Sequence, residues 1–309
     1  MSSNRSNLKL LVLILSLAAA SRAEAQSTLG VRANGMGGAF VGVADDASAV
    51  YWNPAGLATG AFVSLSLEFG RVEPAGTADA LKHSLLAFSL PPVGLAYYRQ
   101  GAFAERAPEA AVTGSQGREE VRRSVHALTT STIALSLLHS LSEYIVVSAT
   151  PKVVWGGDSV KADVDASAMV AVDRFRVGLV ARNLASPSFD LDATGRESVE
   201  LQTEVRLGAG WGSGWPGHSR VVVAVDGDVM DRPTPSGDRR DVAAGVETWW
   251  RDRRFGVRGG LRGSTVGEAR AVATAGASAA LSAGLYVEGH VARGQADERS
   301  WSLGLRYSF

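Results

Sequence analysis

The chain has 309 residues, with 31 Lys and Arg against 31 Asp and Glu, no Cys, 35 Gly and 46 % hydrophobic residues, which is the composition of a folding chain and not of a disordered or collagen-like one. The absence of Cys excludes disulfides, thiol chemistry, iron–sulfur clusters and Cys-based zinc sites. The balanced charge leaves no basic footprint for a nucleic-acid partner.

The first 25 residues have the pattern of a secretory signal peptide. Arg5 and Lys9 form a basic start, residues 10–20 are apolar, and an Ala-Glu-Ala sequence at the end has the small-x-small pattern of a cleavage site. The apolar core is too short to span a bilayer. We expect export with cleavage after Ala25, which leaves 28 Lys and Arg against 30 Asp and Glu and a net charge of −2.

After the signal, large apolar residues alternate with small or polar ones as far as the last residue. Residues 301–309 (WSLGLRYSF) and 63–69 (VSLSLEF) are clear cases. This period of two predicts strands with one apolar face. Fourteen strands are predicted: 61–70, 82–90, 93–100, 126–138, 144–155, 166–172, 175–182, 200–211, 219–228, 241–250, 254–262, 269–281, 283–292 and 299–309.

The gaps between these strands alternate in length, because each odd-numbered gap is longer than the even-numbered gaps beside it. This rhythm is typical of an outer-membrane barrel with long outer loops and short periplasmic turns. Aromatic residues near the strand ends suit interfacial girdles: Tyr97, Tyr98, Tyr144, Trp155, Trp211, Trp249, Trp250 and Trp301. We therefore predict an all-β protein, with a 14-stranded antiparallel transmembrane β-barrel over residues 61–309. Lipid cannot hydrogen-bond an open sheet edge, so the sheet must close.

In this barrel the large residues face lipid and the opposite face lines the lumen. The predicted polar network of the lumen consists of Glu204, Arg206, Glu247, Arg258, Glu288, His290 and Arg306. Glu288 and His290 share the lumen-facing side, and a polar network is favoured over catalysis there. Fourteen strands enclose more space than wall side chains can fill, since about eight strands is the size at which a barrel interior is just filled.

Residues 26–60 lack strand alternation and are rich in small and apolar residues, and we expect them to form a plug in the lumen. Glycines would let this segment turn tightly and approach the wall. Asp45 and Asp46 could bind a cation, but we favour the interpretation that they cap the start of a helix or pair with an arginine of the wall. The residues predicted to carry the plug are Gly35, Met36, Gly37, Gly38, Ala39, Phe40, Asp45, Asp46, Asn53, Pro54, Ala55 and Gly56.

The run from Gly35 to Leu57 contains G-M-G-G-A-F, A-D-D-A and N-P-A-G in order. It resembles the N-terminal signature shared by the FadL long-chain fatty acid transporters and the PorV/PorQ outer-membrane proteins. Residues 177–187 and 242–247 show a weaker resemblance to the same families. The resemblance implies a 14-stranded barrel with the N-terminal segment inside it as a hatch. The chain is shorter than typical fatty acid transporters and nearer in length to PorV and PorQ.

The last residues carry a second resemblance. Leu305, Tyr307 and Phe309 lie on one face of the last predicted strand. They resemble the C-terminal signal by which the barrel-assembly machinery recognises its clients. A simple lipid-facing row is compatible with that interpretation.

No motif for a cofactor, a metal or catalysis stands out, so we expect none of the three. Residues 212–217 match G-x-G-x-x-G but contain a Pro and precede a strand. The five His residues lack metal-ligand spacing, and no G-x-S-x-G occurs.

Two functions stay open, apart from a membrane-embedded hydrolase that has no motif behind it. The first is passive passage or binding of hydrophobic, fatty-acid-like small molecules, as the FadL resemblance implies. The second is a non-conducting barrel that binds secreted or surface proteins, as the PorV resemblance implies. The predicted loop at residues 101–125 is highly charged, with Phe103 as its one large aromatic residue, which counts against a lipid-capturing groove.

Overall fold

The computed structural model describes residues 21–25, 28–73, 80–105, 112–113, 119–120, 125–190, 198–214, 220–234, 237–267 and 269–309. Within these residues, fourteen long strands form one antiparallel sheet: β1 (Ser64–Glu73), β2 (Leu81–Leu90), β3 (Val93–Glu105), β4 (Val125–Ser140), β5 (Ile145–Gly156), β6 (Ser159–Val172), β7 (Phe175–Arg182), β8 (Glu204–Gly212), β9 (Val221–Asp228), β10 (Asp241–Trp250), β11 (Phe255–Ser264), β12 (Val272–Ser282), β13 (Leu285–Gly294) and β14 (Arg299–Ser308). Each strand pairs with its neighbours in sequence.

The sheet closes into a barrel because the first strand pairs with the last. β1 and β14 are in register from Ser64 opposite Ser308 to Glu73 opposite Arg299. Their alternation places large residues such as Leu67 on the outside and buries the small or polar residues between them. The predicted 14-stranded antiparallel barrel is confirmed.

One predicted gap is wrong. The sequence predicts ten residues between the fifth and sixth strands, whereas β5 and β6 are joined by residues 157–158 alone. The alternation of long and short gaps therefore fails here, because the turn at 141–144 is longer. Lys152 of β5 explains the difference, because its Nζ lies 2.9 Å from Asp163 and 2.6 Å from Asp165. The lysine neutralises these two inward-facing acids, so β6 can begin before them, at Ser159.

The two ends of the barrel differ in their connections. The loop end carries the connections 183–203 and 229–240, and the turn end carries the two-residue turns 91–92, 173–174 and 283–284. Two short pairs add to the loop end: Ser188–Asp190 with Ser198–Glu200, and Arg232–Thr234 with Gly237–Arg239.

Some of the aromatic residues lie on the outer surface, as a girdle requires, and others point into the barrel. Phe69 and Trp301 pack edge to face on the outer surface, with ring centroids 6.0 Å apart. Tyr98 and Trp249, predicted in the girdle, point inward and are 4 % and 2 % exposed. The reason is strand parity, because the outward positions beside them are taken by Tyr97 and Trp250.

The segment before β1, residues 28–62, contains two short helices, α1 (Val31–Gly35) and α2 (Ala49–Trp52), and the 3₁₀ turn Pro54–Thr59. Every residue from 29 to 50 is buried. We call residues 28–60, the described part of the predicted plug, the N-terminal segment.

The predicted signal peptide lies mostly outside the described residues. Its last five residues, Ser21–Ala25, form a short strand beside β3, and residues 1–20 are not described. The first two residues of the predicted plug, 26–27, are not described either. No helix in the described part of the chain is long and apolar enough to cross a membrane.

Candidate functional site in the barrel interior

The N-terminal segment lies directly on the inner wall of the barrel, where that wall is made of glycine. Gly245 and Gly260 face Met36 so closely that a Cβ at either position would clash with the Met36 backbone. Gly37 and Gly38 follow with φ of +73° and +84°, values that favour glycine. The wall glycines in such contact with the segment are Gly94, Gly178, Gly208, Gly210, Gly245, Gly260 and Gly304.

Polar groups of the wall hold the backbone of the segment. The amides of Phe40 and Val41 donate to one carboxylate oxygen of Asp226, at 2.7 and 2.8 Å. Asn53 donates from its side-chain amide to the carbonyls of Val41, at 2.9 Å, and of Ala168 in β6, at 3.2 Å. These bonds give buried backbone groups of the segment partners on the wall.

Two further hydrogen bonds tie the predicted motif to the wall. The Ala55 amide donates to Ser167 Oγ at 3.0 Å, and Thr274 Oγ1 donates to the Gly35 carbonyl at 3.0 Å. The 3₁₀ turn therefore lies on β6 and α1 lies on β12.

A buried ion pair links α1 to β10. Arg32 Nε lies 2.9 Å from one oxygen of Glu247, and Arg32 Nη2 lies 2.7 Å from the other. Arg32 Nη1 contacts Asp45 and lies 3.3 Å from Asp46. One guanidinium thus bridges the wall and two acids of its own segment, in the bidentate geometry that suits arginine.

The pair belongs to a larger cluster of four cations and four anions. Asp45 reaches Arg176 of β7 at 3.4 Å, and Glu247 reaches Arg258 at 3.4 Å. Glu288 lies 3.1 Å from Arg306. We call this cluster the central ionic network: Arg32, Asp45, Asp46, Arg176, Glu247, Arg258, Glu288 and Arg306.

The charges of the segment are stabilised in their ionised forms. Burial alone would raise the pKa of Asp45, but the charges of Arg32 and Arg176 outweigh burial and lower this pKa below its ordinary value. Burial would lower the pKa of Arg32, whereas Asp45 and Glu247 raise it well above its ordinary value. The network is therefore held together by complementary buried charges.

The predicted lumen residues are all on the inner side of the strands, but the structure divides them into three groups. Four belong to the central ionic network. Glu204 and Arg206 lie instead at the loop end, where Arg206 Nη1 contacts Asp228 at 2.6 Å.

The third group holds His290, apart from both networks. His290 Nδ1 lies 2.5 Å from Ser302 Oγ, and the nearby His83 lies 3.1 Å from Glu68. In the part of the chain that is described, no cluster of three or more His, Cys, Asp or Glu side chains has the geometry of a metal site.

A cavity of about 110 Å³ lies at the loop end, between the N-terminal segment and the connections above it. Its aromatic side consists of Tyr51, Trp52 and Tyr98, with the Tyr51 and Tyr98 rings 5.6 Å apart. The guanidinium of Arg182 lies over the Tyr51 ring at 4.7 Å and over the Trp52 ring at 5.6 Å. The remaining wall is strongly polar.

Several residues that form these sites were missed by the sequence interpretation. The period of two contains a signal for four of them, because they occupy inward positions of strands in which large and small residues alternate: Arg176, Arg182, Asp226 and Asp228. Arg32 is visible only as a lone charge in an apolar run. Lys152 lies at a strand position, but the predicted strands leave its partners, Asp163 and Asp165, in a loop.

The C-terminal residues Leu305 and Tyr307 face outward, as strand parity requires. Phe309 is exposed, and its backbone exchanges hydrogen bonds of 2.9 and 3.0 Å with Val63.

Solved structures with a similar fold include the CymD monoaromatic hydrocarbon channel, at 14 % identity and a TM-score of 0.64, which covers 91 % of this chain and 97 % of its own. The Pseudomonas putida toluene transporter TodX matches at 10 % identity and 0.61, covering 91 % and 97 %. A Pseudomonas aeruginosa FadL homologue matches at 12 % identity and 0.61, covering 92 % and 99 %. The predicted FadL-like barrel fold is confirmed, whereas the PorV/PorQ resemblance stays a prediction.

Sequence comparison adds one partial match. A family model described as "F plasmid transfer operon, TraF, protein" matches residues 157–228, which run from the β5–β6 turn to the end of β9. No curated protein matches the chain in sequence.

Proposed function

We propose that this chain is an outer-membrane channel for small hydrophobic molecules, closed by the N-terminal segment acting as a plug. The carrying observation is that residues 29–50 are wholly buried inside a barrel whose fold is that of the hydrocarbon channels and FadL homologue above. In this proposal the signal peptide is removed after Ala25, and the plug extends over residues 26–60. The loop end faces the cell exterior.

The packing of the segment supports a closed resting state. Glycine-lined contacts leave no room for bulk water between the segment and the wall at Gly245 and Gly260. A solute would have to displace part of the segment, or leave through the wall, in order to cross. No cofactor and no catalytic group takes part in such passage.

A second candidate is the non-conducting barrel that binds secreted or surface proteins. The observation that favours it is the central ionic network, because breaking a buried, balanced cluster of charges is costly and keeps a plug in place. The connections at the loop end would then hold the partner. In either case Leu305, Tyr307 and Phe309 would serve as the signal for the assembly machinery.

The test compares the intact protein with a variant lacking residues 27–50 in planar lipid bilayers. We expect the intact barrel to be nearly non-conducting and the deletion variant to pass ions steadily. Uptake of radiolabelled toluene by cells that produce the intact protein should exceed that of cells without it. If the intact protein shows large steady conductance and the deletion leaves it unchanged, the N-terminal segment is not a plug. If toluene is not taken up and a polypeptide purifies with the barrel at a fixed ratio, the results favour the second candidate, the non-conducting barrel that binds a protein.

A further inference from the structure

The outer surface of the barrel carries exposed cations on five neighbouring strands, near the loop end. We call them the basic band: Arg293 of β13, Arg299 of β14, Arg71 of β1, Lys82 of β2 and Arg99 of β3. On three of these strands an outward aromatic residue, Phe69, Trp301 or Tyr97, lies two residues nearer the turn end than the cation. Outward aromatic rings of this kind mark the membrane interface, so the basic band lies at the level of the lipid headgroups.

The register of the strands brings these like charges together. Arg293 is directly opposite Arg299, and Arg71 is directly opposite Lys82. Such residues have Cβ atoms about 4.5–5.5 Å apart, and like charges at this spacing are destabilising. The two pairs are diagonal neighbours, because Arg299 is opposite Glu73, two residues beyond Arg71. The band is therefore one continuous patch of mutually repelling cations.

Acids of the chain compensate only part of this charge. Arg71 Nε lies 3.0 Å from Glu73, and Arg299 Nη2 lies 3.6 Å from Asp297, and both pairs are exposed. The other three cations, on β2, β3 and β13, form no ion pair within the described part of the chain. The patch thus has an excess of positive charge that an external anion would neutralise.

The cations are confined to one sector of the barrel. On the other nine strands, β4–β12, the described outward residues nearest the loop end are uncharged, as in Trp155 of β5, Val205 of β8 and Val242 of β10. A general attraction to an anionic membrane surface would not require this one-sided placement. The sector instead has the form of a site for one anionic molecule.

The position of the band selects the kind of anion. Because it lies beside lipid-facing aromatic rings, the molecule that reaches it is a lipid of the surrounding leaflet. Phosphate suits these side chains, since arginine binds it in a bidentate manner and lysine binds it as a point charge. We propose that the basic band binds the phosphate groups of a glycolipid, with one phosphate at each of the two opposed pairs of cations.

This inference rests on the proposed function for its orientation, in which the loop end faces the cell exterior and the band meets the outer leaflet. The lipid A part of lipopolysaccharide has the required chemistry, because its disaccharide carries a phosphate at each end. The site needs neither conduction nor an open plug.

The test is native mass spectrometry of the intact, detergent-solubilised barrel during lipid titration. Diphosphoryl lipid A is compared with monophosphoryl lipid A, which keeps the sugars and acyl chains but lacks one phosphate, and with phosphatidylglycerol. We expect diphosphoryl lipid A to bind most tightly, and its binding to weaken as NaCl is added, because salt screens exposed charges.

Two variants and a matched control locate the site. Lys82→Gln and Arg293→Gln each remove one cation of an opposed pair, and each should weaken the binding of diphosphoryl lipid A about fivefold, the effect of one basic residue at an anionic membrane surface. The control is Lys161→Gln, which removes an exposed cation at the loop end of β6, outside the band. It should leave binding unchanged. The heat-dependent electrophoretic mobility of each variant checks folding.

Equal binding of the three lipids, or binding of lipid A that neither variant weakens, would overturn the inference. Phosphatidylglycerol binding as tight as diphosphoryl lipid A would also overturn it, and would assign the band to anionic phospholipids. The comparison of lipids on the unaltered protein decides the proposal even where a substitution prevents folding. Failure of the channel function appears separately, in conductance and toluene uptake, and leaves these binding results as they are.

Discussion

Arg32 and Glu247 are 215 residues apart in the chain and form a buried bidentate ion pair, with distances of 2.9 Å and 2.7 Å. The pair joins the first helix of the N-terminal segment to the middle of β10. Arg32 also contacts Asp45, so the pair holds two separate stretches of the segment against one strand.

Loss of Arg32 should destabilise the protein more than loss of a surface arginine. Arg32→Met leaves buried carboxylates without their main partner, and breaking a buried pair in this way costs about 3–5 kcal/mol. The control, Arg71→Met, removes an arginine that is 44 % exposed and pairs with Glu73, where about 0–1 kcal/mol is expected. Urea unfolding of the two variants in the same lipid or detergent measures the free energies. Equal losses would show that the network does not anchor the segment.

Acid should weaken the same anchor. The pKa of Asp45 is lowered in the folded protein by Arg32 and Arg176. Its contribution to stability is therefore fully present above its ordinary pKa of about 3.9 and is lost as the pH falls through the lowered value. Glu247 and Asp46, which also contact Arg32, limit the size of the effect.

The measurement is the conductance of the intact barrel in bilayers as the pH is lowered from 7 to below 4. We expect conductance to appear only at the acid end. Asp45→Asn, which lacks the titrating group, should show a higher conductance at pH 7 and a smaller change with pH. Superimposable profiles of the two proteins would contradict a role for Asp45.

Two adjacent glycines of β11 should respond oppositely to the same substitution. Gly260 faces the Met36 backbone with no room for a Cβ, whereas at Gly259 the nearest atom to a Cβ is the Thr274 carbonyl oxygen at 3.7 Å. Gly260→Val should displace the N-terminal segment and raise conductance in bilayers, and Gly259→Val should leave the barrel closed. If both variants behave as the unaltered protein does, the close packing does not keep the barrel shut.

The proposed orientation of the barrel, with the loop end outside the cell, predicts which exposed turns react on whole cells. Asp158 lies in the β5–β6 turn at the loop end, and Ser142 lies in the β4–β5 turn at the turn end. Cys at position 158 should be labelled by a membrane-impermeant maleimide on intact cells, and Cys at position 142 should be labelled only after lysis. The chain has no Cys of its own to interfere. The reverse pattern would invert the topology.

The sequence alone determined the barrel. Alternation of large and small residues needs only local side-chain direction, which has a period of two in every strand, and it led to the strand number and to the inward position of residues such as Glu247 and Arg306. It also separated the N-terminal segment from the strands. The assignment of Tyr98 and Trp249 to the girdle is wrong because it considers only the position of an aromatic residue along its strand and not the parity of that position.

Only the tertiary structure decided which of these residues meet. Closure of the sheet between β1 and β14, and the path of the segment through the interior, bring Arg32 to Glu247 and leave Glu204 in a different cluster. The continuation of β6 likewise depends on Lys152, which compensates two acids that look like loop residues in isolation. Ion pairing and close packing depend on distances across the barrel, and a pattern that is periodic along the chain contains no information about those distances.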